Sequence, residues 1–108
     1  MLQQLLTALQ ATQIPFEAYG WRTAPTGDYG IVTLDGQAGS VGADNRIVEQ
    51  APEGTIDFFT KNIATTSPVA IQEAINALDY VSWALNSVQY ETDSGYIHWE
   101  WVFRLTSL

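Results

Sequence analysis

The run "YIHWEWVFRL" near the C-terminus constrains the fold more than any other part of the chain. Ile97, Trp99, Trp101, Phe103 and Leu105 alternate with Tyr96, His98, Glu100, Val102 and Arg104. A period of two over ten residues is the pattern of a β-strand with one face in a core and one face toward polar surroundings. A helix would scatter these aromatics around its circumference. The preceding "VQYETDSG" supplies a partner strand and a turn at Asp93-Ser94-Gly95, so the chain is expected to end in a β-hairpin. Trp99, Trp101 and Phe103 are assigned to the core.

The rest of the chain must cover the apolar face of that hairpin. Leu2, Leu5, Leu6 and Leu9 recur at helical spacing, which predicts a first helix over about residues 1–12 that stops before Pro15. "PFEAYGW" reads as a short extended segment, "RTAPTGD" as a loop and "YGIVTLD" as a strand. "RIVEQ" begins a possible strand. "EGTIDFFTK" makes a better one, with Ile56 and Phe58 on one face and Asp57 and Phe59 on the other. In "TTSPVAIQEAINALDYVSWALNSV", Ser67 is placed as the cap and Pro68 at the first helical position. Steps of 100° then gather Ile71, Ala74, Ile75, Leu78, Val81, Ser82 and Leu85 on one face of a second helix, leaving Tyr80 and Trp83 on its outer side. The expected architecture is α+β: a mainly antiparallel sheet of four to five strands with two helices packed on one face. The 108 residues fit one domain.

Composition narrows the function. The chain has no cysteine, which excludes disulfides, a thiolate nucleophile and zinc–thiolate sites. The formal charge of −8 disfavours nucleic-acid binding and anionic membrane surfaces, both of which need lysine and arginine. No segment approaches the ~18 apolar residues that span a membrane, and "MLQQLLTALQATQ" lacks the basic region of a signal peptide. A soluble intracellular protein is expected.

Three features raise the question of chemistry. The first is the glycine-rich stretch "LDGQAGSVGADNRIVEQ", with Gly36, Gly39 and Gly42 between Asp35 and Asp44. It lacks the lysine and Ser/Thr of a phosphate-binding loop, and Asp44 would repel a phosphate. Its spacing is not that of a dinucleotide loop, and Gln37, Gly39 and Val41 occupy places that a calcium loop gives to ligands. It reads as a flexible exposed connection, mobile in the isolated chain and ordered on assembly. The second feature is His98, the only histidine, two residues from Glu100. Such a pair can do acid–base work, but no serine sits in a nucleophile elbow. The third is the set of twelve carboxylates, in which no pair shows a recognisable acid–base or metal spacing. No catalytic, cofactor-binding or metal-binding residue is assigned, and the chain is expected not to be an enzyme. Tyr80 and Trp83, one helical turn apart, are assigned to a protein–protein interface, where such aromatics are enriched.

"ADNRIVEQAPEGTIDFFTKN" resembles a stretch common in small tail proteins of long-tailed phages. An amphipathic N-terminal helix, "IPFEAYGW", "YGIVTL", the helix "AIQEAINAL" and an aromatic-rich C-terminal hairpin surround it in the same order. The chain thus looks like the phage tail terminator (tail-completion) proteins of phages and prophages, over nearly its whole length. It is poor in lysine and rich in tryptophan beside many proteins of that type. The resemblance implies a structural α+β protein of the virion tail, assembled in the host cytoplasm. It would form a ring, typically a hexamer, that caps the tail tube, ends its polymerisation and helps join tail to head. Its partners would be itself, the tail tube protein and a head–tail connector protein, with no cofactor. Arg22, Asp44, Asn45, Arg46, Tyr80 and Trp83 are the residues assigned to assembly. An acidic lumen would let DNA pass without sticking. The alternatives are a head–tail connector protein, a small-ligand or peptide-binding module using the His98–Glu100 face, and a hydrolase built on clustered carboxylates.

Overall fold

The computed structural model describes residues 2–38 and 51–106. It contains two helices and five strands in the order α1 (Leu2–Gln10), β1 (Phe16–Ala18), β2 (Tyr29–Ala38), β3 (Ala51–Thr60), α2 (Ser67–Asn76), β4 (Val81–Tyr90) and β5 (Ile97–Leu105). The strands form one sheet in the order β1-β2-β3-β5-β4. Only the β1–β2 pair is parallel; the other three pairings are antiparallel. The fold is α+β with a mainly antiparallel five-stranded sheet, as the pattern predicts.

Alternation on β5 sets the layering. Trp101, Phe103 and Leu105 are buried, and on β3 the equally buried Ile56 and Phe58 stand opposite Trp101 and Trp99. Leu5, Leu6 and Leu9 of α1 join the same cluster, as do Ile71 and Ile75 of α2, with Phe16 and Val32. Two glycines mark close approaches. A Cβ on Gly30 would enter the Phe16 ring, and one on Gly54 would collide with the Thr33 carbonyl on β2, which is backbone and cannot swing aside.

Three expectations are corrected. The second helix ends at Asn76, and residues 81–90 are a strand. Val81, Trp83 and Leu85 already alternate along β4, but a bulge between Leu85 and Ser87 shifts the phase by one residue. Val88 and Tyr90 thereby return to the face of Leu85, and spacings of three and four imitate a helix. The helix cap is Thr66, whose side chain makes no capping hydrogen bond; Ser67 lies inside the first turn with Pro68. The strand expected to end near Asp35 runs on to Ala38 and pairs there with Ala51, so Asp35 and Gly36 belong to β2. Gly39, Gly42, Asp44, Asn45, Arg46 and the "RIVEQ" segment lie outside the described residues.

Candidate functional site

The face of the sheet opposite the buried cluster carries an organised side-chain group. Strand alternation sends Asp57 and Phe59 of β3, and His98 and Glu100 of β5, to this face. Antiparallel register then sets Asp57 opposite Glu100 and Phe59 opposite His98. His98 Nε2 lies 2.6 Å from Asp57 Oδ1, and its Nδ1 lies 3.3 Å from Glu91 Oε2 at the hairpin turn. The imidazole stacks on the Phe59 ring at 4.4 Å between centroids, and Phe59 stacks in turn on Tyr29 at 4.8 Å. Tyr96 packs edge-on against both Tyr29 and Phe59, and its hydroxyl donates to the carbonyls of Thr26 and Gly27. Lys61 extends over the Tyr96 ring.

The carboxylates are held from outside the group. The Thr55 hydroxyl donates to Asp57 Oδ2 at 3.1 Å, and the Asn86 amide donates to Glu100 Oε2 at 2.6 Å. Asn86 reaches Glu100 from the bulge in β4, so the irregularity that hid this strand also positions a side chain. Asp57, His98 and Glu100 each offer one ligand atom, and the three atoms lie within 4.8 Å of one another.

The His98 pKa is raised above its ordinary value. The hydrogen bond from the imidazole to Asp57 is the main cause, burial acts against it, and the charges of Asp57, Glu91 and Glu100 add to it. A group whose pKa is higher folded than unfolded stabilises most at pH values below the unfolded value of ~6.5, and loses that contribution as pH rises through the folded value. In chelator-treated protein, urea denaturation from pH 6 upward should therefore show a His98-dependent fall in stability. Its slope should not exceed one proton's worth, about 1.4 kcal/mol per pH unit. His98→Gln should remove that component; an unchanged pH profile in the variant would count against the Asp57–His98 pairing.

The residues assigned to assembly fall in different places. Arg22 is exposed in the loop between β1 and β2. Trp83 is not on an outer helix face; it lies on β4, half-buried against the core, and its indole N–H donates to Asn76 Oδ1 at 2.8 Å. Tyr80 sits between α2 and β4, packed on the core, with a buried hydroxyl that has no hydrogen-bond partner among the described residues. Asp57 is the main cause of the raised His98 pKa and was not singled out by sequence, because it lies 41 residues from His98. Its one signal was the polar position in "TIDFF", between apolar neighbours.

A second surface lies at the sheet edge. β4 is the terminal strand of the sheet, pairs only with β5 among the described residues, and holds no charged side chain in its ten residues. Leu85, Val88 and Tyr90 are 43%, 46% and 65% exposed. They stand opposite Trp101, Trp99 and Ile97, on the face that bears the core.

The chain matches no family model, and no curated protein matches it. Among the described residues, no helix is long and apolar enough to cross a membrane.

Proposed function

We propose that this chain is a structural assembly protein of the phage tail-terminator type. In this reading it forms a ring that caps the tail tube, ends its growth and helps tail and head to join. The observation that carries the assembly part is the uncharged, ten-residue edge strand β4 with its own Leu85, Val88 and Tyr90 exposed. Edge strands of monomers are normally blunted by charges, prolines or brevity, because their free N–H and C=O groups invite pairing. In a chain of net charge −8, a long charge-free edge is a surface on which another copy can land without repulsion. The identification with tail terminators rests on the ordered resemblance of the sequence.

A closed ring needs two different patches on each subunit. In this reading the β4 edge is one, and the surface around the exposed Arg22 is a place to seek the other. The test is a mass measurement in solution with negative-stain imaging, for the chain alone and mixed with tail tube protein. Closed rings, or end-caps on tubes whose lengths become limited, are the expected result. A monomer in every mixture, with tubes growing unchecked, would overturn the reading. The His98 face gives a ligand-binding module as a second reading, and such a module would stay monomeric in the same measurement.

A further inference from the structure

We infer that Asp57, His98 and Glu100 form a binding site for a divalent first-row metal ion, of which Zn2+ is the best chemical match. One imidazole nitrogen and two carboxylate oxygens suit zinc and its neighbours, whereas calcium and magnesium prefer oxygen alone. The three ligand atoms come from two adjacent central strands, so a rigid ladder and not a loop sets their spacing.

Three observations separate this group from ordinary surface acids. First, each ligand is oriented by something outside the set. Phe59 stacks beneath the imidazole, Thr55 holds the far oxygen of Asp57, and Asn86 holds one oxygen of Glu100. Second, Glu91 lies against Nδ1 of His98. A carboxylate there keeps the proton on Nδ1 and turns the Nε2 lone pair toward the two ligand oxygens, as in carboxylate–histidine–metal triads. Third, among the described residues the acids outnumber the cationic group they pair with. Asp57, Glu91 and Glu100 surround one imidazole, and among the described residues no lysine or arginine forms an ion pair with any of them.

Without metal, Nε2 and Oδ1 face each other directly at 2.6 Å. A metal ion would enter between them. Ligand distances of ~2.0–2.2 Å require the nitrogen and oxygen to part only slightly, by small side-chain rotations. The half-exposed side of the site leaves the remaining coordination positions to water or to a donor from another molecule. This inference does not depend on the assembly reading.

His98 is the only histidine, so its imidazole NMR signals report this site alone. Tag-free protein is titrated with ZnCl2, followed by imidazole-detected NMR and by calorimetry. The expected result is one saturable site, a large shift of the His98 signals, and a raised Tm. Asp57→Asn and His98→Gln should each weaken binding at least tenfold. Asn86→Ala, at an exposed position that does not threaten the fold, should cost about tenfold or more. Asp79→Asn, an exposed acid elsewhere, should change nothing. Imidazole signals that stay in place up to ~1 mM Zn2+, or binding that survives His98→Gln undiminished, would overturn the site.

Discussion

Replacing Trp101 by alanine should remove a large part of the protein's stability. Trp101 is fully buried at the middle of β5, between Ile56 on β3 and Leu85 on β4. Its ring stacks on Trp99 at 5.9 Å, and its indole N–H donates to Gln72 Oε1 on α2 at 3.1 Å. One side chain thus ties the central sheet to the second helix. Truncation leaves a cavity that rigid strands cannot close, for which Trp→Ala costs are ~3–5 kcal/mol. A domain of this size has only ~5–15 kcal/mol in total. The fall in Tm should be on the order of 15 °C or more. Thermal denaturation followed by circular dichroism measures it. Trp99→Ala should cost less, because Trp99 is only half-buried at the uncovered end of the hairpin. A loss below ~1 kcal/mol for Trp101→Ala would show that the β5 register described above is wrong.

The prominence of Trp101 was legible in the sequence, because a period of two is directly visible when a strand is regular and amphipathic. The same holds for α1, whose leucines mark one face, and for Asp57 and Phe59, whose neighbours Ile56 and Phe58 fix the inward direction. β4 was not legible for a local reason. Its bulge at Asn86 breaks the alternation, and the preceding α2 offers no glycine or proline to mark its end; the helix closes on Ala77 with ordinary helical angles. Two apolar stretches with a phase slip between them fit a 3.6-residue period better than a 2-residue one. Tyr80 and Trp83 were misplaced with it.

The His98 cluster illustrates a different limit. His98 and Glu100 are neighbours in sequence, and their shared face follows from alternation. Asp57 joins them only through the pairing of β3 with β5, and Asn86 only through the bulge in β4. Register is a tertiary property, set by how two patterns align in the core. No spacing rule along one strand contains it. Asp57, Glu91 and Glu100, which look scattered along the chain, therefore gather around one imidazole.

Val88→Lys should abolish or greatly weaken self-association while leaving the subunit folded. Val88 is 46% exposed on β4, so the isolated subunit can carry a lysine there at little cost, within ~0.5 kcal/mol. In a contact built on Leu85, Val88 and Tyr90 the same ammonium would be buried without a partner. Even a ~3 kcal/mol penalty of that kind weakens association by more than a hundredfold. Gln89→Lys is the informative comparison. It adds the same charge one residue along the same strand, on the opposite face, across from His98. Light scattering over a concentration series should show Gln89→Lys assembling nearly as the parent does and Val88→Lys remaining monomeric. General electrostatics predicts the reverse of a loss, because each lysine moves a net charge of −8 toward zero and lowers repulsion between copies. A loss confined to Val88→Lys would therefore identify the apolar strip as the contact. Equal behaviour of the two variants would show that this strip is not where copies meet.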